Sequence, residues 1–179
     1  MRLKAAAWAG IAGALAAVAP MAAGSGLWLN VPYVRQQKDG CGAAVIAMVM
    51  QYWAEALNRK PNPASNPRTI LEALYDPRAK GIYASAMAGY LRSHGFSVYS
   101  FRGTWRDLEH QISKGRPLIV ALKLGRSSGP NHYVVVAGLT RMMVMVNDPA
   151  RRKLLKLDRR GFENAWKAMG NWTLLAVPR

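Results

Sequence analysis

Between Pro117 and Asn147 the sequence runs through three apolar stretches, Pro117–Leu122, Tyr133–Leu139 and Met142–Asn147. A polar, glycine-containing segment at 123–131 separates the first two, and Thr140-Arg141 separates the last two. Short apolar runs bounded by turn residues are strand signals, and the tight Thr140-Arg141 break makes the last pair a hairpin. A ribbon this apolar must be covered by another layer. The upstream sequence supplies one: Val45, Met48, Val49 and Tyr52 recur at helical spacing and predict a helix over 42–56. Helices follow around 69–75 and 83–94, the second closed by Gly95. Further on, Phe96–Phe101 reads as a strand and Thr104 as the N-cap of a helix reaching Ser113. Lys153–Leu157 and Thr173–Val177 read as strands around a helix at Gly161–Met169. Helices first and strands later predict an α+β fold, with N-terminal helices packed on a C-terminal antiparallel sheet. Leu27–Val34 reads as an extended edge, where Pro32 is tolerated. Asn58–Pro67, rich in proline and asparagine, reads as a loop whose length suggests a flap or spacer near the functional site rather than a domain boundary.

The chain has 179 residues, enough for one domain with an ordinary core. Arg2 and Lys4, the Ala-rich uncharged stretch 5–23 and Ala22-Ala23-Gly24-Ser25-Gly26 follow the order of a secretory signal peptide. Residues 1–24 are therefore expected to be removed, leaving a domain of 25–179, with an uncleaved membrane anchor as the alternative. The domain is expected to be exported across the cytoplasmic membrane, to the periplasm or beyond. Twenty-five Lys and Arg against nine Asp and Glu give a formal charge of +16. That excess favours anionic surroundings: an envelope or membrane surface, nucleic acid or an acidic peptide. No basic tract interleaved with aromatics occurs, so no specific nucleic-acid partner is predicted. The densest cluster, Arg151, Arg152, Lys153, Lys156, Arg159 and Arg160, reads as a solvated basic face.

Cys41 is the only cysteine, which excludes an internal disulfide and any multi-cysteine metal site. It stands in Asp39-Gly40-Cys41-Gly42-Ala43-Ala44, where a loop becomes a helix. Glycine on both sides permits a sharp turn and close approach of another chain. The partial positive charge of a helix N-terminus favours thiolate, the nucleophilic form. A two-residue turn at Thr140-Arg141 puts Tyr133 opposite Asp148 and His132 opposite position 149. His132 and Asp148 then meet diagonally at the open end of the hairpin, a base beside a carboxylate that orients it. His94 reads as a helix-end residue and His110 as a surface one. Gln36 and Gln37, just upstream of Cys41, are both candidates to donate a side-chain N–H to an oxyanion.

Several segments resemble one family in order: Val31-Pro32-Tyr33-Val34-Arg35-Gln36, Cys41-Gly42-Ala43-Ala44 and Ala47-Met48-Val49-Met50-Gln51-Tyr52-Trp53. Gly115–Ala121, His132–Gly138 and Asn147-Asp148-Pro149-Ala150 continue the match. The chain resembles the bacteriocin-processing, double-glycine-leader peptidases, in particular their stand-alone secreted branch. That resemblance implies a papain-like fold and a cysteine peptidase needing no metal or organic cofactor. It implies Cys41 as nucleophile, His132 as base and then acid, Asp148 as orienter and Gln36 as oxyanion donor. Gln36 is preferred over Gln37 because stand-alone members commonly carry glutamine five residues before the cysteine. The expected partner is a peptide or protein substrate. Two other readings are a non-catalytic papain-like domain that grips a peptide, and a cell-wall peptide amidase or transpeptidase.

Overall fold

A computed structural model describes residues 26–123, 125 and 131–179, so the segment read as a signal peptide lies outside it. In chain order the described elements are β1 (Leu27–Trp28), α1 (Cys41–Ala56), a 3-10 turn (Pro63–Ser65), α2 (Pro67–Leu74) and α3 (Ala84–Ser93). Then come β2 (Phe96–Arg102), α4 (Trp105–Ser113), β3 (Leu118–Lys123), β4 (Asn131–Leu139), β5 (Met143–Asn147), β6 (Leu155–Asp158), α5 (Arg159–Lys167) and β7 (Trp172–Pro178). The strands form one antiparallel sheet in the order β2-β7-β3-β4-β5-β6, with β1 paired to the end of β4.

The α+β expectation holds, with helices on both faces of the sheet rather than one. Ile119, Val135, Ala137, Leu174 and Ala176 point toward α1 and α3. Leu118, Val120, Val134, Val136 and Leu175 point the other way, onto α4 and α5 through Leu108, Ile112, Phe162 and Trp166. Alternate residues of each strand thus feed separate cores, as the period of two requires. Sealed between the sheet and the other N-terminal helices, α1 is buried on every side from Gly42 to Met50. The single face traced by Val45, Met48 and Val49 therefore understates its burial. Its far end is fixed by Tyr52, whose hydroxyl donates to the Gly115 carbonyl at 2.7 Å, and by Trp53, whose indole donates to Ala176 at 2.9 Å.

The β4–β5 hairpin differs from expectation in register. Leu139 pairs with Val144 and Gly138 with Met145, which moves the turn to Arg141-Met142. The Thr140 hydroxyl accepts from the Met142 and Met143 amides, at 3.3 and 3.1 Å, and holds the turn there. Beyond it a bulge at Ala137 shifts the register again, so that Val136 faces Val146 and Val135 faces Asn147. The extra residue also sends Leu139 to the α4 side, whereas Ala137 faces α1. Gly138 is obligatory at this point because a Cβ there would lie 2.6 Å from the Leu27 carbonyl oxygen. The Asn58–Pro67 loop is not a flap over Cys41. It is tied to the middle of α1 by Gln51 donating to the Ser65 carbonyl and to α3 by Tyr90 donating to Ala64. Gln51 lies about 15 Å along the helix from Cys41.

One side chain links the N-terminal segment to the end of β5. Asn147, fully buried, donates to the Val31 carbonyl at 3.0 Å and the Pro32 carbonyl at 3.4 Å. Its Oδ1 accepts from the Leu154 amide at 2.9 Å. Leu154 sits in the left-handed region at φ 49°, a conformation that costs a residue with a Cβ about 1–2 kcal/mol. The Asn147→Ala variant leaves the Val31 and Pro32 carbonyls and the Leu154 amide without this partner and should lose about 2–3 kcal/mol of stability. Urea unfolding checks this, and an unchanged midpoint would mean that the segment is held by other contacts.

Candidate active site

Cys41 is the first residue of α1 and sits half-buried at its N-terminus. The first helical turn holds no acidic residue, so the end charge of the helix is not neutralised locally. The flanking glycines act through space rather than through unusual dihedrals. A Cβ on Gly42 would lie 3.0 Å from Ile82 Cβ, and one on Gly40 would lie 3.0 Å from the Gln37 carbonyl oxygen. The left-handed residue of this turn is Asp39, at φ 56°.

His132 lies at the start of β4 and Asp148 just past the end of β5, both buried. His132 Nε2 and Asp148 Oδ1 are 2.7 Å apart, so the pairing expected from the hairpin forms despite the altered register. With Nε2 committed to Asp148, Nδ1 is the ring nitrogen left for Cys41. Asp148 is itself framed by backbone: Oδ1 also accepts from the Ala150 amide at 3.0 Å, and its own amide donates to the Arg152 carbonyl at 3.1 Å.

Burial works against charge on all three groups, yet each is driven toward its charged form. For Cys41, burial raises the pKa. The hydrogen bond and charge of His132, with the Tyr133 and Gly42 amides, outweigh it and bring the thiol below its ordinary value. For His132, burial favours the neutral ring, but Asp148 and Cys41 on either side push its pKa up to about 9. Burial also raises Asp148, and the bond and charge of His132, the Ala150 amide and nearby Arg151 bring it below the usual carboxylate range. Tyr133, beside the Cys41 sulfur and half-buried, has its phenol pushed up to about 12 by desolvation and then by negative charge on Cys41. A thiolate, an imidazolium and a carboxylate in a row can attack a carbonyl carbon and return a proton to its leaving group.

Gln36 is half-buried, and its amide N–H donates to the Pro149 carbonyl at 3.0 Å. Its side-chain Oε1 is buried with no hydrogen-bond partner among the described residues. Gln37 is exposed, and its carbonyl caps the turn by accepting from Gly40 at 3.0 Å. Tyr33 adds further ties, its hydroxyl donating to the Asp148 and Pro149 carbonyls at 3.3 and 3.4 Å. Asn147 and Tyr33 thus lock the segment carrying Gln36 to the segment carrying Asp148. Neither role was read from the sequence; an asparagine directly before the orienting carboxylate, in an apolar strand, was the available signal. His94 caps α3 with Nδ1 2.8 Å from the Tyr90 carbonyl, and His110 is exposed on α4, both away from the site as expected. Among the described residues no cluster of His, Cys, Asp and Glu has the arrangement of a metal site, and no helix is long and apolar enough to cross a membrane.

No curated protein matches the sequence at a significant level. Solved structures do match in fold. A protein described as a C39-like peptidase from Bacillus anthracis superposes with a TM-score of 0.69 at 18% identity, covering 87% of this chain and 98% of its own. The peptidase domain of Streptococcus ComA, a bi-functional ABC transporter involved in quorum sensing, gives 0.63 at 21% identity, covering 82% and 97%. A double glycine motif protease from an AMS/PCAT transporter, solved with its leader peptide, gives 0.62 at 23% identity, covering 85% and 94%. At these identities the likeness establishes the papain-like fold of the C39 peptidase domains. The profile of the Peptidase C39 like family matches residues 28–174, almost all of the described chain, and this protein belongs to that family.

Proposed function

We propose that the protein is a cysteine peptidase that hydrolyses peptide bonds through Cys41, His132 and Asp148. The observation that carries this reading is the buried 2.7 Å His132–Asp148 contact beside a thiol whose ionisation is favoured. Cys41 thiolate attacks the scissile carbonyl carbon, and the carbonyl π electrons move to oxygen. The resulting oxyanion is held by the Cys41 N–H and the Gln36 side-chain amide. His132 gives its Nδ1 proton to the leaving amine as the C–N bond breaks, and a thioester remains on Cys41. Water then loses a proton to His132 and adds to the thioester, and the acid product leaves as the thiolate returns. The partial burial of Gln36 and its placement on a locked segment favour it over solvent-facing Gln37. The resemblance to leader-peptide proteases favours a secreted or leader peptide as substrate. The basic N-terminal segment followed by an apolar run favours action outside the cytoplasmic membrane.

Cys41→Ala should abolish hydrolysis of a fluorogenic peptide library without altering the thermal midpoint of unfolding by more than a few degrees. Gln36→Ala should lower kcat by about 10²–10³-fold and leave Cys41 alkylation by iodoacetamide unchanged. Turnover that survives Cys41→Ala would end the cysteine-peptidase reading, and an unaffected kcat in Gln36→Ala would remove Gln36 from the oxyanion site.

The pH dependence of alkylation tests the ion pair. In the wild type, thiolate forms below the ordinary cysteine pKa because His132 stays protonated up to about 9. Asp148→Asn removes the charge that holds the proton on His132, so the midpoint of Cys41 alkylation should move to higher pH. Equal midpoints for wild type and Asp148→Asn would show that the carboxylate does not act through the ring.

A further inference from the structure

The segment that carries Gln36 and the turn that follows Asp148 are bonded to each other, and both carry exposed cations. Arg35 directly precedes Gln36, whose amide is bonded to Pro149. Arg151 and Arg152 follow two residues later in the same turn, which is closed by Arg151 N–H donating to Asp148 O and by Asp148 N–H donating to Arg152 O. All three arginine side chains are exposed, and none makes a hydrogen bond or ion pair among the described residues. The neighbouring Lys153 is already engaged, donating to Asn30 Oδ1 at 2.8 Å. The only acid within 26–38 and 147–157 is Asp148, which is buried and paired with His132. Arg151 is near enough to help hold Asp148 ionised.

The surface between the nucleophile loop and α2 has a different character. There Lys38, Asp39, Leu71, Glu72 and Tyr75 line a cavity of about 470 Å³, in which each sign of charge is represented.

We infer that Arg35, Arg151 and Arg152 form a subsite for acidic side chains, so that the peptide taken by this active site carries Asp or Glu on the Asp148 side of the scissile bond. The inference rests on the peptidase reading for what occupies the cleft, and it concerns which peptide is chosen. Three exposed guanidinium groups with no internal acid to neutralise them attract carboxylates at range and can accept them in bidentate fashion. The attraction weakens as salt shortens the screening length.

Binding is measured separately from turnover, using the Cys41→Ala chain and fluorescein-labelled peptides that differ only in Glu against Gln. At low ionic strength the Glu peptides should bind about tenfold more tightly, and the difference should shrink toward unity near 0.5 M NaCl. Combined Arg35→Gln, Arg151→Gln and Arg152→Gln should abolish the preference, while Arg141→Gln, on the distant β4–β5 turn, should leave it intact. Circular dichroism confirms that the triple variant is folded, and the single variants, each expected to lose part of the preference, serve if it is not. Equal, salt-insensitive binding of Glu and Gln peptides overturns the subsite. Binding of phosphatidylglycerol vesicles but not of Glu peptides, lost in the triple variant, overturns it in favour of a membrane surface. Acidic-peptide preference without turnover by the wild type upholds the subsite and refutes only the peptidase reading.

Discussion

Burial of α1 on every side is the constraint from which the site follows. Ile46 and Met48 are wholly inaccessible and each contributes about 1.5–3 kcal/mol by leaving water. The run from Gly42 to Met50 carries no polar side chain, so no rotation of the helix would expose a face that water tolerates. Tyr52 and Trp53 pin the far end by bonds to backbone carbonyls, and Ile82 lies against Gly42 at the near end. The thiol at the first helical position is thus placed by everything packed behind it. Covalent chemistry needs that precision, because misplacement of a nucleophile by about 1 Å can cost a hundredfold in rate.

Charge in the site is maintained against desolvation, and the arrangement of partners explains how. His132 sits between two anions, so its ring is held protonated up to about 9 although burial alone would make it neutral. Asp148 gains the imidazolium, the Ala150 amide and nearby Arg151. Removing His132 would leave Asp148 a buried carboxylate without its imidazolium, a costly state. The ties from Asn147 and Tyr33 add rigidity where the electrostatics need it. They hold the Gln36 segment and the Asp148 turn as one unit, so Gln36 and Asp148 keep a fixed relation to each other.

Most elements were legible because their periodicities are simple. Thr104 is the expected N-cap and closes a capping box with Asp107, and the apolar runs at 118–122 and 133–139 lie within strands. The hairpin register was not legible. An uninterrupted apolar run hides which residue is extra, and Ala137 bulges because β1 packs across Gly138, a contact between residues more than a hundred positions apart. The turn was misplaced by one residue because the Thr140 hydroxyl stabilises the next pair of amides. His132 and Asp148 still meet, since a shift of one position along a strand end stays within reach of an imidazole ring. The flap reading of Asn58–Pro67 failed for a related reason: composition marks a loop but not what its carbonyls bind. Asn147 and Tyr33 were invisible as positioning residues because their partners are main-chain atoms, which carry no sequence signature.

Net charge proved a coarse guide until the cations were separated by what they touch. Of the cluster from Arg151 to Arg160, expected to be one solvated face, Arg159 stacks 4.2 Å over the Trp105 ring and pairs with Glu163 at 3.1 Å. Lys153 bonds Asn30, and outside the cluster Arg102 bonds the Gly170 carbonyl and Arg68 pairs with Glu72. These groups join elements of the fold, and much of their charge is spent there. Arg35, Arg151 and Arg152 have no such internal work among the described residues, although they stand on the segments next to the His132–Asp148 pair, the most buried ion pair among those residues. An exposed cation beside a buried carboxylate lowers that carboxylate's pKa and leaves most of its field directed at solvent. Of the three, Arg151 is the one that helps keep Asp148 ionised, so a single exposed side chain acts on the buried pair and still presents its charge to solvent.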